Sequence, residues 1–252
     1  MRSLDLVFKF FFVLIYVSTI GCVTTPKILF EDPVDTKNKR ISIQEKKIFF
    51  FEESGIYFSN DFQGARLNDV IKKNDSTFSL SILPENQPIN PSPFYAFKVW
   101  SKSPKNINLE FNYPGSYKHR YIPKILLEGN WKIADSTSFT KLDDIGFLKL
   151  NVSNKSKIVS GQELNSSDIV YNWVEELIKG KESFVRFKKI GKTKLKRPFM
   201  VMDIYKGVPE KKPIVVLITR QHPPEVTGYF AFKSYLSTIL NENNLSSAFL
   251  EK

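Results

Sequence analysis

Ile214-Val215-Val216-Leu217-Ile218-Thr219-Arg220-Gln221-His222-Pro223-Pro224-Glu225 is the stretch on which the reading of this chain turns. Five consecutive apolar residues predict a strand covered on both faces of a sheet. From Val226 to Leu240 the pattern changes to helical, with Tyr229, Phe232, Leu236, Ile239 and Leu240 on one face. A residue before proline is driven out of the helical region, so His222 and Pro223 are expected to be extended. Pro224 suits a first helical position, where its missing N–H is no loss, and this puts Glu225 in the first turn. A histidine and a glutamate three residues apart would then stand just outside the carboxyl end of a strand, the usual ligand-binding edge of such sheets. Their spacing is that of a two-point metal clamp. The same spacing also arises in an ordinary polar strand-to-helix loop.

Working back from this stretch, a helix is predicted where Asn165-Ser166-Ser167-Asp168 offers N-cap side chains. Its apolar positions are Ile169, Val170, Trp173, Val174, Leu177 and Ile178, and Gly180 stops it. Strand-like runs at 184–190 and 198–205 follow. From Ile48 to about Val159 the signals are those of short strands. Phe78 to Ile82 and Leu109 to Tyr113 alternate with period two, and Phe94 to Trp100 is rich in aromatic and β-branched residues. Pro84, Pro114-Gly115 and Gly129-Asn130 punctuate them as turns. The expected fold class is α+β in two parts: an antiparallel β-sandwich over 48–159, then the incomplete start of an α/β mixed-sheet domain over 160–252.

The 252 residues carry a net charge of +11, from 37 Lys+Arg against 26 Asp+Glu. No helix-turn-helix or stacking signature accompanies the excess, so no nucleic-acid partner is expected and a solvated basic surface is the reading. Phe10 to Ile20 is almost wholly apolar and follows Arg2 and Lys9. It falls short of the roughly 20 residues a membrane span requires and suits a signal-peptide core. It ends at Thr19-Ile20-Gly21-Cys22, which resembles the lipobox of bacterial lipoproteins, with Thr19 and Ile20 departing from the commonest pattern. The resemblance implies a lipoprotein-type signal peptide over 1–21, lipidation of Cys22, a tether over 22–47, and an exported protein anchored to a membrane of the bacterial cell envelope. Cys22 is the chain's only cysteine, so an intramolecular disulfide is impossible.

Arg220-Gln221-His222-Pro223-Pro224-Glu225-Val226-Thr227-Gly228 resembles the first zinc-ligand motif of the zinc metallocarboxypeptidases, in its cytosolic-carboxypeptidase-like branch, with Pro224 where glycine is usual. Ile190-Gly191-Lys192-Thr193 and Arg197-Pro198 are similar to that family's Gly-Lys-Ser and Gly-Arg-Pro hairpin, with Thr193 and Lys196 as departures. Residues 60–68, 90–99, Arg120-Tyr121-Ile122-Pro123 and Gly129-Asn130-Trp131 look like the branch's accessory β-sandwich.

The resemblance implies one zinc ion and hydrolysis of C-terminal peptide bonds, with His222 and Glu225 as the first two metal ligands and peptide or protein C-termini as partners. The family's second histidine ligand, its arginine and asparagine clamp on the substrate carboxylate, and its general-base glutamate belong downstream. No histidine follows His222, and the tail from Asn241 to Lys252 is too short for the remaining strands. The expectation is a chain truncated soon after the first zinc motif and inactive by itself, with no catalytic residue to name. The alternative is a non-catalytic surface lipoprotein whose β-sandwich is a binding module. His119, between Lys118 and Arg120, is read as a solvated strand or loop residue and not as a substitute ligand. Arg66 and Arg120 are read as salt-linked surface arginines. Trp100, Trp131 and Trp173 are assigned to the core, and Glu175-Glu176 to a solvated helix face.

Overall fold

The alternating stretches form strands, and their alternation sets which side is buried. In the computed structural model, residues 42–84, 94–115, 117–193, 195–222, 225–241 and 243–252 are described. The signal peptide, Cys22 and most of the tether expected from the sequence lie outside them. Eleven strands come first: β1 Ile48–Phe51, β2 Ile56–Ser59, β3 Asp69–Lys72, β4 Thr77–Ser81, β5 Ala96–Ser101, β6 Lys105–Asn112, β7 Lys124–Leu127, β8 Asn130–Ile133, β9 Phe139–Leu142, β10 Ile145–Val152 and β11 Lys157–Ser160. They build a six-stranded sheet, in the order β1-β2-β5-β11-β7-β8, and a five-stranded sheet, β3-β4-β6-β10-β9.

Both sheets contribute to one core. Phe58 and Phe97 from the first meet Phe78 and Phe111 from the second, with the Phe58 and Phe78 rings 5.2 Å apart. On β6, Ile107, Leu109 and Phe111 point inward, and on the neighbouring β10 Leu148 and Leu150 stand opposite Leu109 and Ile107. Full burial of each such side chain contributes about 1.5–3 kcal/mol. β7 and β8 are joined by Glu128-Gly129, both at positive φ, the two-residue turn that matches strand twist. The turn thus falls one residue earlier than Gly129-Asn130.

The antiparallel expectation holds for all but one of these pairings. β4 and β6 run parallel. Between them the chain crosses to the other sheet to make β5 and then returns, so β6 arrives in the direction of β4 with no hairpin to reverse it. Residues 44–47, expected at the end of the tether, are tied down. The fully buried Asn60 accepts from the Lys47 N–H at 2.7 Å and donates to Glu45 O and Leu67 O, each at 2.7 Å.

Among the described residues three helices and a third, two-stranded sheet follow: α1 Ser167–Ile178, the antiparallel pair β12 Val185–Lys192 and β13 Pro198–Ile204, a 3-10 turn Pro209–Lys211, α2 Val226–Ile239 and α3 Asn244–Glu251. Ser166 caps α1 by accepting from the Ile169 N–H, and Asp168 lies in the positive first turn. Phe184, Val185, Leu240 and Leu250 form a second core, with Leu177, Ile178, Met202 and Ile204 against it. Among the described residues no helix is long and apolar enough to cross a membrane.

The strand expected at Ile214–Ile218 does not form. Residues 213–220 have no ladder partner among the described residues, and the five apolar side chains are between 49% and 87% exposed. An apolar run becomes a buried strand only when flanking strands and covering helices meet it, and the two-stranded β12–β13 sheet does not reach it.

Several side-chain readings are also corrected. Arg66 is buried, its Nε donating to Leu83 O at 2.7 Å and its backbone paired with Ala96. Arg120 is exposed. Trp100, Trp131 and Trp173 are half-buried instead of core: Trp100 stacks 5.1 Å from Tyr57 on a sheet's outer face, and Trp173 lies under the Lys233 ammonium. Glu175 and Glu176 are exposed, as read.

Candidate metal centre

The site lies where the exposed run turns into α2. Arg220 has φ +56, a left-handed conformation that a non-glycine residue adopts at a cost of about 1 kcal/mol. This kink carries the chain from 214–218 toward the helix, and the Arg220 guanidinium reaches across to donate to Asn165 O, just before α1. Burial lowers the Arg220 pKa below the usual arginine range. The sequence placed Arg220 in a motif and Asn165 at a helix cap. It gave no sign that the two would meet, because they are 55 residues apart.

His222 and Glu225 are brought together. His222 Nδ1 stands 2.6 Å from Glu225 Oε1, the His222 N–H donates to Glu225 Oε2 at 3.2 Å, and the Glu225 N–H donates to His222 O at 3.2 Å. Both side chains are exposed. The hydrogen bond from the imidazole, then that from the backbone, holds the Glu225 carboxyl below its usual range. Glu225 is not in the first turn, as expected, but is the N-cap of α2, one position earlier. Its carboxylate makes no capping bond to the helix, since both oxygens are engaged by His222. A capping side chain contributes about 1 kcal/mol to a helix, so here a local stabilising rule gives way to a side-chain pair. Pro223 and Pro224 lie outside the described residues. Beside the pair is an open cavity of about 480 Å³ lined by Thr219, Arg220, Gln221, Glu225, Gly228 and Phe232.

Would a metal ion fit? Two ligand atoms bonded to zinc at about 2.0–2.1 Å in tetrahedral geometry stand roughly 3.3 Å apart. Opening the 2.6 Å hydrogen bond by several tenths of an ångström, with loss of its proton, would admit the ion between imidazole and carboxylate. The donors suit zinc in kind, but a catalytic zinc takes three protein ligands. Among the described residues no group of three His, Cys, Asp or Glu comes together. The pair fits as part of a metal site and is short of a whole one, so no catalytic step follows from it.

His119 is not available to complete it. It is buried at 1% exposure among the rings of Tyr95, Phe111, Tyr113 and Phe139, against the expectation of a solvated residue. Its Nε2 is 2.6 Å from Tyr121 O and its Nδ1 is 3.3 Å from the Tyr113 hydroxyl. Only an Nε2–H tautomer satisfies both, donating to the carbonyl and accepting from the phenol. Its charged neighbours Lys118 and Arg120 gave no signal of this, because most of the rings that enclose it come from distant parts of the chain. Cys22 lies outside the described residues.

The fold has known counterparts. A metallo-carboxypeptidase from Burkholderia cenocepacia superposes with a TM-score of 0.62 at 13% identity, over 75% of this chain and 50% of that one. The present chain shares the fold of that half of the enzyme. A second, from Pseudomonas aeruginosa and in complex with (2-guanidinoethylmercapto)succinic acid, gives 0.59 at 16% identity, over 77% of this chain and 52% of that one. The chain therefore spans about half the length of the carboxypeptidase structures it matches. No protein-family profile matches the sequence, and no curated relative does.

Proposed function

We propose that this chain is part of an exported zinc-dependent metallocarboxypeptidase of the cytosolic-carboxypeptidase-like branch, acting on the C-termini of peptides or proteins. The observation that carries the reading is the His222–Glu225 pair, 2.6 Å apart at the start of α2, in a chain that shares half the fold of metallo-carboxypeptidases. In this reading 48–159 is the accessory β-sandwich, 160–252 is the beginning of the catalytic domain, and His222 and Glu225 are two of the zinc ligands. Zinc, when bound, would polarise the scissile carbonyl and lower the pKa of its water. This chain's part is to hold the ion from one side. In this reading the second histidine, the clamp on the substrate carboxylate and the general base belong to the part of the carboxypeptidase fold that this chain does not cover. The exposed apolar run at 214–218 supports the same reading, as a strand without its neighbours. Cys22 would carry the lipid that anchors the protein to a membrane of the bacterial envelope.

The test is cobalt(II) and zinc titration of the full chain. Weak binding that disappears in both His222→Ala and Glu225→Ala supports the reading. Binding indifferent to both substitutions overturns it.

The second reading, a non-catalytic surface lipoprotein with the two-sheet body as a binding module, is favoured by one observation. That body has a continuous core fed by both sheets, whereas the second core rests, among the described residues, on four buried side chains. A partner captured by the protein equally well with and without chelator would favour this reading over the first.

A further inference from the structure

The basic excess of the chain is concentrated in one hairpin. From Val185 to Ile204 there are seven Lys and Arg against one acid, Asp203, a balance of +6 in a chain whose whole excess is +11. The proximal end of the hairpin is anchored: Phe184, Val185, Met202 and Ile204 belong to the second core. The distal end is not. On β12, Lys188, Lys189, Ile190 and Lys192 are exposed, and so are Pro198 and Phe199 where β13 begins. Asp203 is taken by Lys188 at 2.6 Å, and among the described residues Lys189, Lys192, Lys196 and Arg197 have no ion pair.

Thr193 and Arg197 are tied to each other across the tip. The Thr193 N–H donates to Arg197 O at 2.8 Å, the Arg197 N–H donates to Thr193 Oγ1 at 3.2 Å, and Lys196 sits at φ +62. Among these cations stand three large apolar side chains, Ile190, Leu195 and Phe199, between 53% and 57% exposed.

A surface that offers only cations suits any polyanion. Cations interleaved with exposed aliphatic groups suit a partner with phosphates above and hydrocarbon below. Nucleic acid would instead call for several free rings, and Phe199 is the one exposed ring here. We propose that the distal end of the β12–β13 hairpin docks on an anionic phospholipid surface, with Lys189, Lys192, Lys196 and Arg197 on the lipid phosphates and Ile190, Leu195 and Phe199 entering the interface. The inference uses neither the metal pair nor Cys22, so it stands or falls apart from the proposed function.

The experiment reads the tip itself, because other parts of the full chain can also bind lipid. The full chain carrying Cys22→Ser and Leu195→Cys is labelled at position 195 with an environment-sensitive fluorophore. It is mixed with vesicles of phosphatidylglycerol and phosphatidylcholine, or of phosphatidylcholine alone. The expected result is a blue shift and quenching by brominated acyl chains on the anionic vesicles only, reversed by salt. Reversal of Lys189, Lys192, Lys196 and Arg197 to Glu should weaken it by more than ~5-fold per residue, since ~5-fold is the factor expected for loss of a single cation near such a surface. An unchanged melting curve of the reversed protein shows that the loss is not unfolding. A probe that stays in water on anionic vesicles overturns the proposal, as does an equal response on neutral ones. Stronger shielding by polyglutamate or a DNA duplex than by lipid would also overturn it, and would make the tip a polyanion site.

Discussion

Gly146 lies flat against the imidazole of His119: a Cβ built on it would stand 2.8 Å from Cγ, Cδ2 and Cε1 of the ring. The ring cannot withdraw, since Phe111 is 4.9 Å behind it, Phe139 5.3 Å and Tyr95 5.5 Å. Gly146 is on β10 at an ordinary strand φ, so what it supplies is space and not backbone freedom. A histidine, a glycine and four aromatic rings thus pack together against the two-sheet core.

Gly146→Ala is therefore expected to destabilise the protein by about 1–3 kcal/mol, the usual range for overpacking a filled core. Denaturant unfolding would measure it. A midpoint equal to that of the parent would mean that the ring has room to move.

Stability should also fall on mild acidification. Burial lowers the His119 pKa from 6.5 to about 4, helped by Lys141 and opposed by the hydrogen bond to Tyr121 O. The unfolded chain takes up this proton near pH 6.5, while the folded chain refuses it until about 4. Protons in that window bind the unfolded state, so the contribution is whole above pH 6.5 and lost as pH falls toward 4. The slope is at most about 1.4 kcal/mol per pH unit for one proton. Asp135, held at about 2 by Thr137 and Ser138, titrates below this window. Melting temperatures from pH 7 to 4 should fall for the parent and less steeply for His119→Gln. Parallel curves would remove His119 as the cause.

Asn60→Leu should be among the most damaging substitutions in the two-sheet body. It removes three hydrogen bonds at 2.7 Å and leaves Lys47 N, Glu45 O and Leu67 O to find other partners. With about 1–3 kcal/mol for each buried group left unsatisfied, a loss near 3 kcal/mol is expected in urea unfolding. Hydrogen exchange should show residues 44–47 opening first.

At the exposed run the expectation is the reverse. Val216 is 73% exposed, so Val216→Lys should change stability by no more than about 0.5 kcal/mol. It should also reduce self-association and dye binding in sedimentation and fluorescence measurements, because unpaired apolar extended segments are templates for association. A strongly destabilised variant would mean that the run is buried in solution.

By itself the sequence determined what is local. The N-cap offered by 165–168, the apolar spacing of 226–240 and the alternation of 78–82 and 109–113 depend on neighbours within a few residues, and each overlaps a helix or strand observed, with bounds shifted by one to a few residues. The His222–Glu225 spacing is local too, and the two side chains do meet. Tertiary structure alone decided which side chains are enclosed. His119 and Arg66 read as surface residues and are buried, while Ile214 to Ile218 read as a buried strand and are exposed. An apolar pattern states what a segment would bury if partners were present. Whether they are present depends on residues far away in the chain, and so it takes the assembled fold to say.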